Sequence, residues 1–158
     1  MEFGEETKIT FRPFEKSDLG DVLGIERLSF TNPWSSNMFE ALNQISPKGF
    51  YVVLKQGIIV AYAIFLPEQS LRHWSRKKTA HLLNLAVHPQ VRNQGIGKSL
   101  IHWIISNLKD IKVKEIYLEV RTSNTNAIAF YTRLGFARIG LIEGFYGDED
   151  AIVMVKKI

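Results

Sequence analysis

The fold is decided by the stretch Val87-His88-Pro89-Gln90-Val91-Arg92-Asn93-Gln94-Gly95-Ile96-Gly97-Lys98-Ser99. A strand-like apolar run ends at Val87, and a glycine-bearing loop follows it. An amphipathic helix is then predicted from Gly97 to Leu108. Backbone N–H groups at a helix N-terminus have no intrahelical acceptor and form a ready anion site. Gly95 and Gly97 let an anion approach the main chain, while Arg92 and Lys98 add positive charge. The stretch therefore predicts an α/β fold with an anion-binding junction.

This junction departs from the two best-known phosphate-binding patterns. No third glycine follows Gly97 at the dinucleotide-binding interval, and no glycine stands five residues before Gly95, as a P-loop requires. Taken alone, a Gly-x-Gly at a loop–helix junction is more often structural than functional. A functional interpretation therefore needs a second signal.

The second signal is the stretch from Glu119 to Phe136. Strand alternation places Glu119 on the same face as Tyr117 and Arg121, and Tyr131 lies in the helix that follows. A carboxylate near a strand end and a phenol in the next helix can converge on one cleft. Each residue alone also fits a structural role, as a solvated strand residue or a packing tyrosine.

The remaining chain alternates strands and helices without an internal repeat or linker. The predicted order is β-α-α-β-β-β-α-β-α-β-β, which indicates one α/β domain over residues 1–158 with a mixed sheet. The predicted strands are 9–14, 50–55, 58–65, 81–87, 115–121 and a pair around the Gly147-Asp148 turn. The predicted helices are 19–28, a short one capped by Ser35, 97–108, and 124–134 with its stop at Gly135.

The amino-acid composition excludes several kinds of site and indicates the class of protein. The 158 residues include no cysteine, which excludes disulfides, zinc–thiolate sites and thiol nucleophiles. Hydrophobic residues make up 46% and charged residues 23%, as in ordinary soluble domains. The acidic start MEFGEETKIT does not resemble a signal peptide, and no apolar run is long enough to span a membrane. We therefore expect a cytoplasmic protein.

The charge is unevenly distributed along the chain. Residues 1–50 hold 5 Lys/Arg and 8 Asp/Glu, whereas the remainder carries the excess that makes the total net charge +4. A basic C-terminal region suits nucleic acid or a multiply phosphorylated cofactor, although it can also simply maintain solubility. The loop with Arg72, Arg76, Lys77 and Lys78 is either solvated or a contact for an acidic partner. The basic residues are not interleaved with aromatic residues as in RNA-binding proteins, so nucleic acid is not required.

Together the two stretches resemble the GNAT superfamily of acetyl-CoA-dependent acetyltransferases. Arg92-x-x-Gly95-x-Gly97 is similar to its pyrophosphate loop, and Asn124-x-x-Ala127-x-x-Phe130-Tyr131-x-x-Leu134-Gly135-Phe136 is similar to its second cofactor motif. The chain resembles RimI-like ribosomal-protein enzymes and archaeal N-terminal acetyltransferases still more closely. The markers are Tyr117-Leu118-Glu119-Val120-Arg121, Ser123-Asn124, Gly144-Phe145-Tyr146, Glu149-Asp150-Ala151 and Pro33-Trp34-Ser35.

The resemblance implies a mixed, mostly antiparallel twisted sheet flanked by helices, whose fourth and fifth strands splay to form the acetyl-CoA cleft. Acetyl-CoA is the implied co-substrate, and no metal is implied. The pantetheine arm would pair with the strand backbone and with Asn124, and the pyrophosphate would bind the N–H groups of the glycine loop. The implied cofactor-binding residues are Leu85, Val87, Arg92, Asn93, Gln94, Gly95, Ile96, Gly97, Lys98, Asn124 and Tyr131.

The implied reaction is direct attack of an amine on a thioester. The amine must first lose a proton, and an α-amino group with a pKa near ~8 does so more easily than a lysine at ~10.4. The resemblance implies Glu119 as the first choice of base and His81 as the second, with Tyr131 protonating the leaving thiolate. A backbone N–H of the fourth strand would stabilise the oxyanion. No covalent enzyme intermediate is implied.

The implied acceptor is a protein N-terminus, held by Phe30, Trp34 and Tyr146 together with Phe145. Alternatively, Phe30 and Trp34 simply pack the first helical hairpin. Some archaeal relatives carry a glutamate where this chain has Asn32, so their activity on Met-like N-termini is not implied.

We therefore expect acetyl transfer from acetyl-CoA to the α-amino group of protein N-termini, either ribosomal proteins or a broad set. Acetylation of lysine side chains or small amines, and a non-catalytic CoA-binding module, remain as alternatives. The expected partners are the acceptor N-termini and a ribosomal or auxiliary-subunit contact, with no membrane, for a monomer or weak dimer.

Overall fold

The computed structural model describes residues 8–68 and 77–158. The first seven residues, and Arg72 and Arg76 of the basic loop, lie outside these ranges. The elements follow the predicted order. The strands are β1 Ile9–Pro13, β2 Phe50–Lys55, β3 Ile58–Glu68, β4 Thr79–Val87, β5 Glu115–Arg121, β6 Ala137–Ile142 and β7 Ala151–Lys157; the helices are α1 Leu19–Ser29, α2 Ser36–Ile45, α3 Ile96–Asp110 and α4 Thr125–Arg133.

The strands form a seven-stranded sheet in the order β1-β2-β3-β4-β5-β7-β6. β1 with β2, β2 with β3, β5 with β7 and β6 with β7 are antiparallel, whereas β4 and β5 are parallel. The predicted mixed, mostly antiparallel sheet is therefore confirmed. The parallel register joins Thr79–His81 to Glu115–Tyr117 and covers only the first part of either strand, as strands that splay apart require.

The chain divides into two compact units, which are described separately. The first comprises Met1–Ile64 and Asn84–Ile101, and the second comprises Phe65–Leu83 and His102–Ile158. The first unit thus contains α1, α2 and the glycine loop, and the second contains β5, α4, β6 and β7. The expectation of a single domain over residues 1–158 stays a prediction.

Aromatic residues dominate the core of the first unit. Phe14 and Phe50 stack with ring centroids 3.9 Å apart, and Phe39 packs edge-on against Tyr62 at 5.6 Å. Phe39, Phe50 and Tyr62 are fully buried. Burial of such large rings contributes favourably to the stability of this unit. It fixes α2, which carries Phe39, against the strands.

Local sequence chemistry explains several boundaries. The Ser35 hydroxyl caps α2 by accepting the Met38 N–H at 3.3 Å. Gln56 and Gly57 both have positive φ, 52° and 76°, which gives the tight turn between β2 and β3. Asp18 precedes α1, but its carboxylate accepts the Glu15 N–H at 2.8 Å instead of capping that helix.

The second unit is built around β5. Ile116, Tyr117 and Leu118 are buried on this strand, and β7 covers its far edge over the full length from Glu115 to Arg121. Gly135 ends α4 with φ of +90°, a conformation that favours glycine, as predicted. In neither described range is any helix both long and apolar enough to cross a bilayer.

Candidate active site

His81 and Glu119 lie side by side in the second unit. His81 is the last residue of β4 in register with β5, opposite Tyr117, and Glu119 lies two residues further along the same face of β5. The imidazole Nε2 makes a hydrogen bond with the Glu119 carboxylate. Their side chains are only 16% and 14% exposed. The structure therefore brings together the two predicted candidates for the general base.

Two further residues surround His81. The Tyr117 ring stacks on the imidazole, with centroids 4.2 Å apart and planes within 14°. The Tyr117 hydroxyl donates to Glu68 Oε2 at 2.8 Å, and Glu68 Oε1 lies 3.8 Å from His81 Nδ1. His81 therefore stands between two carboxylates. Sequence reasoning missed Glu68 because β3 extends beyond its predicted end at residue 65.

Tyr131 is held as a neutral phenol. Burial, and then the neighbouring Tyr146, raises the pKa of its hydroxyl well above the usual value. The ring packs against Phe130 and Phe136, with centroids at 5.1 and 5.4 Å. Among the residues that the structure describes, none makes a hydrogen bond with the Tyr131 hydroxyl. A protonated hydroxyl that has no such partner suits the predicted role of proton donor.

Tyr146 belongs to the same group of residues. Burial raises the pKa of its phenol first, and the nearby charge of Glu119 raises it further. The Arg121 guanidinium lies over the Tyr146 ring, 4.2 Å from the centroid. Phe145 packs edge-on against Tyr146 at 4.9 Å and is exposed. The predicted acceptor contact Tyr146 is thus close to the predicted base.

The Glu149 carboxylate holds the connection between β6 and β7, residues 143–150, against the end of β5. It accepts the Ser123 N–H at 2.6 Å, the Ser123 hydroxyl at 2.9 Å and the Thr122 hydroxyl at 3.0 Å. The Glu149 carbonyl accepts the Tyr146 N–H at 3.1 Å. The Ser123 bonds above all lower the pKa of Glu149 to about 2. Glu149 therefore positions the segment that carries Tyr146, a role that sequence reasoning did not assign.

Glu149→Gln is expected to destabilise the protein near neutral pH, and the effect should fade in acid. The folded-state pKa of Glu149 lies below the ordinary value of 4.5, so the carboxylate contributes stability above that value. This contribution is lost as the pH falls from there through about 2. Urea unfolding midpoints of both proteins at about pH 6 and about pH 3 test this, because the difference should shrink at the lower pH. The exposed Glu143→Gln is the matched control, and an equal loss at both pH values would contradict the assignment.

In the first unit, the glycine loop forms the predicted anion junction. Asn93 and Gly95 have positive φ, 62° and 79°, and α3 begins at Ile96, one residue earlier than predicted. The Ser99 N–H donates to the Gly95 carbonyl at 3.0 Å. The N–H groups of Ile96, Gly97 and Lys98 precede this first helical bond, so they have no intrahelical acceptor.

Two side chains of this loop contact the protein itself. Arg92 donates from Nε to the Val87 carbonyl at 2.8 Å and from Nη2 to the Ser29 hydroxyl at 3.0 Å. Gln94 Oε1 accepts a hydrogen bond from Lys55 Nζ at 2.8 Å. The motif therefore shapes the loop through its side chains, and the anion-binding role of its backbone stays a prediction.

Two other predicted cofactor contacts also have partners. The Leu85 N–H donates to the Asn84 side-chain oxygen at 3.0 Å. In the second unit, the Asn124 side-chain oxygen caps α4 by accepting the Ala127 N–H at 3.1 Å. The cofactor roles of Leu85, Val87 and Asn124 stay predictions.

The predicted acceptor contacts Phe30 and Trp34 lie in the first unit, in the segment between α1 and α2. Both are partly buried, and the Trp34 ring packs against Phe39 with centroids 5.6 Å apart. The Trp34 N–H donates to the carboxylate of Glu26, which sequence reasoning did not single out. A slot that combines these residues with Tyr146 stays a prediction.

Comparisons with known proteins agree with this geometry. Residues 19–136 match the model of the acetyltransferase (GNAT) family. The chain is 34% identical to the [ribosomal protein bS18]-alanine N-acetyltransferase of Escherichia coli, over 94% of this chain and 97% of that protein. It is 30% identical to the N-alpha-acetyltransferase of Saccharolobus solfataricus over the full length of both.

A solved structure shares the fold. Ard1 from Thermoplasma volcanium superposes with a TM-score of 0.85 at 27% identity, covering 95% of this chain and 97% of that one. The family match over most of the chain and the full-length relatives confirm the resemblance predicted from the two motifs. The chain belongs to the acetyltransferase (GNAT) family.

Proposed function

We propose that this chain is an enzyme that transfers the acetyl group of acetyl-CoA to the free α-amino group of protein N-termini. The observation that carries the proposal is the His81–Glu119 pair, held on β4 and β5 in the same unit as the neutral Tyr131 phenol. The names of the relatives from E. coli and S. solfataricus, both N-terminal acetyltransferases, support the choice of acceptor.

The glycine loop fits the phosphates of acetyl-CoA. The N–H groups of Ile96, Gly97 and Lys98 are at a helix N-terminus, and the exposed Lys98 side chain adds positive charge. Positive φ at Gly95 shapes the turn into α3, and a Cβ there would meet no atom within 4 Å. When bound, acetyl-CoA supplies an acetyl group activated as a thioester.

Gly95→Ala is expected to destabilise the protein by about 1–2 kcal/mol, because an L side chain is strained at φ of +79°. The same strain should shift the loop and raise the Kd for acetyl-CoA. The matched control is Gly24→Ala in α1, where a Cβ also has open space and φ is not positive. That control should be neutral or stabilise by up to about 1 kcal/mol. Thermal unfolding and titration calorimetry measure both effects, and equal behaviour of the two variants would contradict the strain argument.

The acid–base chemistry follows from the second unit. Glu119 accepts the proton of the attacking amine, directly or through one water, and His81 holds the carboxylate in place and shares the proton. Tyr131, whose phenol is neutral before the transfer, donates its proton to the leaving sulfur as that sulfur gains negative charge. These roles of Glu119, His81 and Tyr131 are part of the proposal.

The acceptor site is the finer part of the proposal. Phe30, Trp34 and Tyr146 are the residues proposed to contact the first residues of the acceptor. The N-terminus of a ribosomal protein is a candidate acceptor by analogy with the E. coli relative. The proposal also includes a cytoplasmic location, a ribosomal or auxiliary-subunit contact, and an enzyme that is a monomer or weak dimer.

The test is a CoA-release assay with purified protein, acetyl-CoA and peptides. The acceptors are peptides with free N-termini that begin Ser, Ala, Thr, Met-Leu and Met-Glu. The controls are the same peptides blocked at the N-terminus but containing lysine. Release with free N-termini only supports the proposal, and the rank order defines the preferred first residues. Release with blocked lysine peptides would move the activity to side chains, and no release despite acetyl-CoA binding would overturn this choice of acceptors.

A further inference from the structure

A buried carboxylate outside the proposed catalytic group remains to be explained. Glu26 lies in α1 and is only 1% exposed. Among residues 8–68 and 77–158, no lysine or arginine forms an ion pair with it. Removing a carboxylate from water without a cation is costly unless several hydrogen bonds compensate. Its partners therefore indicate what it does.

Three donors converge on the Glu26 carboxylate. The Trp34 N–H donates to Oε1 at 2.9 Å, whereas the Tyr62 hydroxyl and Asn84 Nδ2 donate to Oε2, the latter at 3.0 Å. Asn84 Nδ2 also lies 3.0 Å from the Tyr62 oxygen. Burial above all raises the pKa of Tyr62, so its hydroxyl stays protonated and keeps donating. We call Glu26, Tyr62 and Asn84 the carboxylate cluster.

The carboxylate cluster joins three parts of the first unit. Glu26 comes from α1, Tyr62 from β3 and Asn84 from β4, while Trp34 lies in the segment between α1 and α2. That segment has no regular backbone pairing of its own, so the bond from Trp34 N–H fixes its course. Asn84 belongs to β4, and its side-chain oxygen accepts the Leu85 N–H of the same strand. The hydrogen bond from Asn84 to Glu26 therefore links α1 to β4.

We propose that Glu26 is a positioning residue that determines which acceptor N-termini are used. It holds the backbone of Trp34, and with it the Phe30–Trp34 side of the acceptor site, at a set distance from β4. The inference rests on the proposed function, since it concerns the binding of the first residues of a protein N-terminus. Glu26 does not contact the reacting atoms; it acts through the placement of Trp34.

The number of acceptor atoms makes the inference testable. A carboxylate has two acceptor oxygens, and both are used, one by Trp34 and one by Tyr62 and Asn84. A glutamine of nearly the same shape has only one acceptor oxygen, and its amide nitrogen would face one of the donors. Glu26→Gln therefore loses either the bond from the Trp34 N–H or the bond from Asn84 to this side chain.

The experiment compares Glu26→Gln and Tyr62→Phe with the unmodified chain. We expect Glu26→Gln to raise KM for the peptide about tenfold and to change the kcat/KM ratio between Ser- and Met-Leu-starting peptides, because the acceptor is misplaced. The Kd for acetyl-CoA should change less than about twofold in the same variant. Tyr62→Phe, which removes one of the three donors, should act in the same direction with a smaller effect.

The matched control is Asp18→Asn. Asp18 is a second buried carboxylate of the first unit, but it bonds Arg12 and the Glu15 N–H, not the Trp34 segment. The control should lose stability and keep both the peptide KM and the peptide preference. If Glu26→Gln behaves in the same way, Glu26 is only structural and the inference is overturned.

Amide hydrogen exchange at Trp34, followed by NMR, tests the positioning without any activity. The Trp34 N–H should exchange at least about tenfold faster in Glu26→Ala, which removes both carboxylate oxygens, while amides of β2 are unchanged. If the unmodified protein acetylates no peptide, the proposed function fails, and this measurement still decides whether Glu26 positions Trp34. Unchanged exchange at Trp34 would overturn the inference whatever the activity.

Discussion

Replacing Glu119 with glutamine is expected to lower kcat by about 10²-fold or more, the usual loss when a general base is removed. The change keeps the shape of the side chain and a hydrogen bond to His81, so the fold and the Kd for acetyl-CoA should be preserved. An amide cannot take the proton of the incoming ammonium, which leaves the amine without its lone pair. CoA release at saturating peptide and acetyl-CoA measures the effect.

Two further variants are needed to interpret a loss of activity in Glu119→Gln. Glu40→Gln removes an exposed carboxylate of α2 and should leave kcat unchanged, which controls for the loss of one negative charge. His81→Ala removes the neighbouring imidazole and should be less damaging than Glu119→Gln. A larger loss in His81→Ala would make His81 the main base and reverse our order. A kcat within about twofold for both variants would remove the pair from the chemistry.

Structural features that depend on a few adjacent residues were predictable from the sequence. The bounds of β5 were found as predicted because alternating apolar and polar residues mark a strand whose two faces differ. Ser35 and Gly135 were predicted correctly because a helix cap and a helix stop each depend on a few adjacent residues. The choice of Glu119 and His81 as candidate bases followed from the family resemblance, whereas their hydrogen bond is seen only in the structure.

Contacts between residues far apart in the chain were not predictable in this way. The carboxylate cluster joins Glu26 to Asn84, 58 positions away, and nothing in the local pattern of α1 distinguishes Glu26 from other glutamates on a helix. Arg92 matches a cofactor motif, yet its guanidinium donates to the Val87 carbonyl and the Ser29 hydroxyl. Folding brings these two acceptors within hydrogen-bonding distance, which the motif alone does not reveal. Glu68 was missed because packing, not propensity, sets how far β3 continues.

Tyr131→Phe is expected to lower kcat by about 10²-fold with little change in the Kd for acetyl-CoA or in stability. The ring and its packing against Phe130 and Phe136 are kept. Since no described residue is hydrogen-bonded to the hydroxyl, its removal leaves no protein group unsatisfied. What is lost is a proton donor whose raised pKa keeps it in the acid form at neutral pH.

The matched control for Tyr131→Phe is Tyr51→Phe on β2, which removes another phenol whose pKa burial raises, and which should keep full activity. Measuring kcat, the Kd for acetyl-CoA and the thermal midpoint of both variants separates three roles. A fall in kcat alone assigns Tyr131 to proton transfer. A rise in Kd that accounts for the whole loss would make it a binding residue, and a fall in the midpoint would make it a packing residue. Because the hydroxyl makes no hydrogen bond with any described residue, a fall in the midpoint would disagree with the structure.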